Sequence, residues 1–337
     1  MPAPKVQILV LKLGALGDVV RTSYILPGLH ERFGSGTHIT WVTAPAAVPI
    51  LRFNPYVSEL ISKGQGASQH AIDAVKSATY DWVLSFDDEV ESCGIATQVS
   101  AKRISGALED SGKIQYTEDT REWFDMGLIS RFGKARADEL KIQNTHSHDA
   151  IFARMLGIRI EKPGFFNDPK SEAVSATMLQ GLPRKIVGLN LGAGKRWPSK
   201  SLRMDEAIRL IDQLKASGAT CVLLGGKDDA AYLDAVASQR EIEVIRDLPL
   251  EAFAGVIRCL DLLITSDTLA LHLAIAQRVP TLSYYAPTSL PEINTFGTGT
   301  KIASLSPDYC SYRPDADNST ITAERLLPEA LRLLAKG

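Results

Sequence analysis

The chain has 337 residues, 45% of them hydrophobic and 23% charged, which is the composition of a soluble globular protein about two ordinary domains long. Its 37 basic and 39 acidic residues nearly cancel, so the electrostatic footprint of a dedicated nucleic-acid binder is missing and nucleic acid is not expected as a partner. Cys93, Cys221, Cys259 and Cys310 are scattered with no CxxC pair, which argues against a zinc site or a disulfide framework and suits a reducing cytoplasm.

The start Met1-Pro2-Ala3-Pro4-Lys5 leads into a strand without an apolar signal region, and no stretch reaches the roughly 18 apolar residues of a membrane span. A soluble cytoplasmic protein, or one touching the inner membrane only peripherally, is expected. Along the chain, apolar runs alternate with amphipathic ones. They predict a strand over 6–11, a helix over 18–33, a strand over 38–43, a helix over 46–52, a strand over 80–86 and a short strand near 103–105.

The segment 106–144 is more polar and less periodic, with Trp123 and Phe124 set among charges, and reads as a loop region over an open sheet edge. A helix over 148–156 precedes the Gly-, Pro- and Asp-rich stretch 157–172, which has the composition of a boundary. The rhythm then restarts: strands at 186–190, 220–224, 243–245, 262–265 and 281–284, helices at 204–217, 228–238, 250–259 and 269–277, and a last helix over 323–336. Strand and helix in this alternation imply two doubly wound α/β domains in tandem, over 1–165 and 166–322, with 323–337 as a closing helix expected to pack back toward the first domain.

In such sheets ligands bind beyond the carboxyl ends of the strands, so the strand-to-helix junctions are the places to search. The first is "KLGALGDVV", Lys12 to Val20. It supplies only Gly14 and Gly17, lacks the third glycine of a dinucleotide fingerprint, and places its lysine before the glycines rather than after them, so the phosphate-loop pattern fails too. Asp18 would repel a phosphate at a helix start. It reads either as a helix N-cap or as a general base at the mouth of a cleft whose glycines admit a substrate.

The second junction is "NLGAGKRWPSKSL". Gly192, Ala193 and Gly194 form a small turn whose amides can face an anion, with Lys195 and Arg196 beside it and Lys200 close behind, a pattern suited to a diphosphate. Solvated surface charge is the plainer reading. The third, "LLGGKDD", ends a strand at Gly225-Gly226 and offers Asp228 or Asp229 to ribose hydroxyls. The fourth, "LLITSDTLALHLAIA", leads into Ser266, Asp267 and Thr268, whose oxygens and helix amides can bind phosphate or sugar, with His272 one turn further on and more in character as a packing histidine.

Taken in order, "LGALGDVV…LPGL", "NLGAGKRWP", "LLGGKDD" and "SDTLALHLA" resemble the signature blocks of the heptosyltransferases, the lipopolysaccharide glycosyltransferases of family 9, across roughly residues 5–300. That resemblance implies a GT-B fold of two facing Rossmann-like domains. It puts a glycan or glycolipid acceptor on the first and a nucleotide-sugar donor, ADP-heptose in characterised members, on the second, with no metal and no further cofactor.

It further implies Asp18 as the catalytic base with Gly14 and Gly17 on the acceptor side, and Lys195 at the diphosphate. Gly192, Ala193, Gly194, Arg196, Gly226, Asp228, Ser266, Asp267, Thr268 and His272 then fall around the donor. Leu269 stands where the family has glycine, and Asp228 where it commonly has glutamate. An inverting transfer is the expected reaction; a sugar-nucleotide epimerase of the same architecture, or a member that binds without transfer, are the alternatives.

Overall fold

A computed structural model describes residues 6–64 and 67–336; Met1–Lys5, read above as the approach to the first strand, lie outside the described residues. The chain divides into two compact units, Met1–Phe166 and Asn167–Gly337.

In the first unit the strands are β1 (Val6–Leu11), β2 (Thr37–Thr43), β3 (Glu59–Ser62), β4 (Thr79–Tyr80), β5 (Trp82–Ser85), β6 (Ser100–Ala101), β7 (Ile104–Asp110) and β8 (Lys113–Tyr116). The helices are α1 (Leu16–Thr22), α2 (Ile25–Phe33), α3 (Val48–Leu51), α4 (Ala67–Ser77), α5 (Val90–Gln98), α6 (Arg121–Phe124), α7 (Gly133–Gln143) and α8 (His148–Leu156). Six strands pair in the order β3-β2-β1-β5-β7-β8, parallel throughout except for the closing hairpin β7–β8. The order reverses between β1 and β5. Leu9, Leu11, Val42 and Val83 are fully buried in the sheet, as expected where helices cover both faces of a parallel sheet.

The second unit repeats the plan: α9 (Pro169–Met178), β9 (Ile186–Asn190), α10 (Met204–Ala216), β10 (Thr220–Gly225), α11 (Ala230–Ala237), β11 (Glu243–Arg246), α12 (Leu250–Arg258), β12 (Leu262–Ser266), α13 (Leu269–Ala276), β13 (Thr281–Tyr285), β14 (Gly299–Ala303) and α14 (Ala323–Leu334). Its sheet runs β11-β10-β9-β12-β13-β14, all parallel, reversing between β9 and β12. The last helix belongs to this unit: Ala323, Leu326, Ala330 and Leu333 are buried in one core with Leu210, Ile211, Leu214 and Leu282. These are two Rossmann-like domains of the GT-B fold.

Several elements differ from the sequence expectations for identifiable reasons. The helix expected over 18–33 is two helices, because Pro27 cannot donate a backbone hydrogen bond inside a helix but is tolerated in the first turn of a new one. Ser23, at the break, donates its hydroxyl to the Val20 carbonyl at 2.7 Å. The segment 106–144 is not a loop: it contributes the rest of β7, the edge strand β8, α6 and α7. The exposed face of α7, with only Ala137 buried, hid its periodicity. The boundary composition at 157–172 concealed the start of α9, which Asp168 caps by accepting from the Lys170 amide at 3.2 Å, with Pro169 at the first helical position.

Candidate active site

In the first unit, β1 and β5 flank the reversal, and the loops that follow them are tied together. Lys12 is 8% exposed and Asp87 is 5% exposed, and the ammonium meets the carboxylate Oδ1 at 2.5 Å while the Leu13 amide donates to Oδ2. The Lys12 carbonyl in turn accepts from the Trp41 indole at 3.2 Å and the Thr43 hydroxyl at 2.9 Å. These bonds fix the backbone leading into Gly14, where, among the described residues and apart from its two chain neighbours, no heavy atom lies within 4 Å of the place a side chain would begin.

Asp18 lies in the first turn of α1, but the N-cap is Ala15, so the capping reading of Asp18 does not describe it. Its side chain is 38% exposed, with Oδ1 2.9 Å from the Arg21 guanidinium one turn on. Arg21 sits over the Trp123 ring at 5.3 Å from its centroid. Trp123 meets His148 edge-on at 4.9 Å, and His148 stacks on Phe152 at 4.0 Å. Beneath Arg21, burial and the neighbouring Asp149 push the Tyr24 hydroxyl far above its ordinary range, with Arg21 acting the other way, so Tyr24 stays a neutral phenol. The partly exposed Asp18 carboxylate is thus held by Arg21, which is itself packed on Trp123.

In the second unit, the ends of β9, β10 and β12 are joined by uncharged bonds. Asn190 donates its amide to the Leu224 carbonyl at 3.0 Å and accepts at Oδ1 from the hydroxyls of Thr265 and Thr268, each at 3.1 Å. Thr268, expected as a donor-contacting group, therefore holds the junction together. Gly192 is packed against Asp229, whose Oδ1 would lie 2.5 Å from a β-carbon there, and Gly194 adopts φ +64°, a conformation glycine takes without strain.

Asp229 accepts from the Gly194 amide at 2.8 Å and the Gly226 amide at 3.2 Å, latching the second junction to the third. The Gly194 N–H is therefore engaged within the protein. Asp228 is exposed and lies beside Gly194. Lys195 and Arg196 are exposed and form no ion pair among the described residues. Lys200, by contrast, donates to the Asp267 carbonyl at 2.7 Å and to its carboxylate at 3.1 Å. The buried His272 places Nε2 3.5 Å from the other carboxylate oxygen. Burial, and after it Asp267, pushes the Tyr285 hydroxyl well above its ordinary value.

Asp87, Arg21 and Asn190 emerge as site residues that the sequence did not single out, while Asp229 and Lys200, weighed there for ribose and diphosphate, bond within the protein instead. Lys200 and Asp229 were within view in the quoted junctions. Asp87 carries one usable signal, its place just past a strand adjoining the reversal. Among the described residues no group of three or more His, Cys, Asp or Glu side chains is placed to hold a metal ion.

A family model described as glycosyltransferase family 9 (heptosyltransferase) matches residues 70–319, well over half of the chain. The chain belongs to that family and is a glycosyltransferase. Among solved structures it resembles a family 9 glycosyl transferase from Veillonella parvula DSM 2008, at 20% identity and a TM-score of 0.77, covering 100% of this chain and 99% of that one. It also resembles the E. coli ADP-heptose lps heptosyltransferase II, at 17% identity and a TM-score of 0.68, over 98% and 99% of the two chains. The E. coli heptosyltransferase WaaC, solved with ADP, aligns at 18% identity and a TM-score of 0.64 over 97% and 100%. At these identities the likeness speaks to the fold. No curated protein matches by sequence.

Proposed function

We propose that the protein is an inverting transferase that moves a sugar, heptose by family analogy, from an ADP-linked donor to a hydroxyl of a cell-surface glycan or glycolipid. The observation that carries this reading is the contrast between the two junctions. A partly exposed carboxylate, Asp18, follows the Gly14–Gly17 turn at one, and two cations with no ion-pair partner among the described residues, Lys195 and Arg196, follow a glycine turn at the other. The relative WaaC has been solved both with ADP and with ADP-2-deoxy-2-fluoro heptose, which supports an ADP-linked donor.

In this mechanism Asp18 takes the proton from the acceptor hydroxyl as its oxygen attacks the anomeric carbon. The bond to the nucleoside diphosphate breaks, and the charge left on that diphosphate is stabilised by Lys195, Arg196 and the amides of Gly192 and Ala193. One displacement inverts the anomeric centre. Gly14 and Gly17 give the acceptor access to Asp18; Gly226 and Asp228 face the nucleoside, and Ser266, Asp267, Thr268 and His272 the sugar. No helix among the described residues is long and apolar enough to cross a membrane, and the enzyme would work in the cytoplasm, reaching a lipid-linked acceptor peripherally.

The test is a pair of variants read for both binding and turnover. Asp18→Asn is expected to lower kcat by about 10²–10⁴-fold, the span of general-base contributions, with ADP-induced thermal stabilisation unchanged. Lys195→Ala is expected to weaken that stabilisation. Equal loss of ADP binding in both variants would overturn the division of labour, and no stabilisation by any nucleotide diphosphate would overturn the donor assignment. Hydrolysis or rearrangement of the ADP-sugar in the absence of any acceptor would favour the epimerase reading.

A further inference from the structure

Asp18 and Arg21 stand one turn apart on the same face of α1, with Asp18 Oδ1 2.9 Å from the guanidinium. Between two side chains in open water such a pair contributes little, because both must be ordered to make it. This pair is unequal. The Asp18 side chain is 38% exposed and that of Arg21 only 14%, so the carboxylate reaches solvent from an arginine that is itself held.

What holds it is a run of ring contacts leading back to the sheet. Arg21 lies 5.3 Å from the centroid of the Trp123 ring, on α6. Trp123 meets Phe152 of α8 edge-on at 5.5 Å, and Phe152 packs on Phe86 at 4.7 Å. Phe86 follows β5 directly, and its amide donates at 3.0 Å to the carbonyl of Leu11, the last residue of β1. The two strands at the reversal of the first sheet thereby set the place of Arg21. A carboxylate in the first turn of a helix is drawn toward the unpaired amides there, and Arg21 gives this one a lateral partner.

We infer that Arg21 is a positioning residue for the transfer, its guanidinium carried on the Trp123 ring so as to hold the Asp18 carboxylate in one orientation for the acceptor hydroxyl. The inference rests on Asp18 being the base, as in the function proposed above, and adds what prepares it. Two effects of the guanidinium oppose each other. A cation beside a carboxylate favours the ionised form and so slows proton uptake, by less than about tenfold at a site open to solvent. Misplacing a catalytic group by about 1 Å costs on the order of 10²-fold in rate, so geometry is the larger effect. Arg21 stays protonated throughout, and the acceptor proton goes to Asp18. Of the elements packed against α1, α3 and the turn Pro45–Ala47 carry no charged side chain, and α8 brings the buried His148 and Asp149 together with Arg154. On α6, Arg121 pairs with Glu118, and Glu122 with Arg154.

The experiment follows the Asp18 carboxyl carbon by NMR in the full-length protein, its signal assigned by its loss in Asp18→Asn. In Arg21→Met the titration midpoint is expected to rise by at least about half a unit, and in Arg21→Lys, which keeps the charge, by less than about a quarter of a unit. Side-chain three-bond couplings are expected to report one χ1 rotamer for Asp18 in the unaltered protein. They become averaged in Arg21→Met and in Trp123→Leu, which keeps both charges and removes the ring beside the arginine. Turnover is read with ADP-heptose as donor and a heptose-free lipopolysaccharide core as acceptor. In Arg21→Met, kcat is expected about tenfold lower at KM values within about twofold, with the acidic limb of the pH profile moved upward. In Trp123→Leu, kcat falls about threefold and the limb stays in place.

An unmoved midpoint in Arg21→Met, a single Asp18 rotamer in both variants, or a kcat in Arg21→Met at or above that of the unaltered protein would overturn the inference. A lower kcat with the acidic limb unmoved in Arg21→Met would do the same, since loosening of α1 alone has that signature. Arg21→Gln takes the place of Arg21→Met should the latter fail to fold, with the same expectations. Undiminished turnover in Asp18→Asn would overturn the base assignment and the inference with it. Loss of turnover there, with Arg21→Met at the unaltered rate, overturns the inference alone.

Discussion

At the reversal of the first sheet the two junctions are joined by a buried ion pair, Lys12 with Asp87; at the reversal of the second the strand ends are joined by uncharged bonds from Asn190 to Thr265 and Thr268, and only the loops beyond them by the half-buried pair of Lys200 with Asp267. The two domains share a topology and differ in how they close the same gap. A desolvated ion pair is rigid only while both partners are present, and it leaves little net field outside itself. A neutral amide–hydroxyl network leaves the field to whatever charges stand nearby, and in the second unit those include Lys195 and Arg196, which have no ion-pair partner among the described residues. The first junction is thereby free to present one carboxylate, Asp18, and the second to receive an anion.

The sharpest way to break this comparison is to remove half of the buried pair. Lys12→Met leaves the Asp87 carboxylate with the Leu13 amide as its remaining close donor at 5% exposure. Loss of one partner of a buried pair costs about 3–5 kcal/mol. The expected result is faster hydrogen exchange in β1 and β5 with exchange in the second unit's strands unchanged, and recovery of most of that protection when Asp87→Leu is added. Asn190→Leu is the matching change in the second unit, where hydroxyls rather than a charge lose their acceptor and the cost is expected near 1–3 kcal/mol. Should Asn190→Leu prove as damaging as Lys12→Met, the distinction between a charged and a neutral closure would fail.

The parallel sheets were legible because buried strands such as Val6–Leu11 and Leu262–Ser266 read as continuous apolar runs bounded by turns. Half-exposed edge elements were not: β3 buries only Ile61, and β14 has no fully buried residue, so neither carries a period or an apolar run. The site divides along a similar line. Glycine turns with adjacent charges announce themselves at Gly192–Arg196, whereas the Lys12–Asp87 pair joins positions 75 residues apart and becomes visible only once β1 and β5 lie side by side. Asp229 illustrates the intermediate case. Its two amide partners, Gly194 and Gly226, come from different junctions, and nothing in the run "KDD" distinguishes it from the exposed Asp228.

That latch gives the next prediction. Asp229→Ala removes the acceptor from two backbone amides, each bond to a charged group contributing about 1.5–3 kcal/mol when sheltered and less at this half-buried position. The turn bearing Lys195 is then held less firmly, so the KM for donor is expected to rise about tenfold with kcat nearly constant, because an ordering cost is added to binding rather than to the chemical step. Asp229→Asn, which keeps one acceptor oxygen, is expected to lie between. A fall in kcat at constant KM would instead place Asp229 in the transition state and detach it from the latch.

The smallest effect is expected from Arg196. It is exposed and without an ion-pair partner among the described residues, so Arg196→Ala should change the stability of the unliganded protein by less than about 0.5 kcal/mol. Its contribution appears only against a diphosphate, as an ADP affinity about threefold lower at 50 mM salt and a difference that fades by 0.5 M as screening takes over. The same titration on Lys200→Ala behaves differently if the contrast between the lysines is real. Lys200 is half-buried and held by the Asp267 carbonyl and carboxylate, so its loss frees a carboxylate next to the donor site and should weaken ADP binding at every salt concentration. A salt-independent Arg196 effect alongside a salt-sensitive Lys200 effect would reverse which cation serves the ligand and which serves the loop.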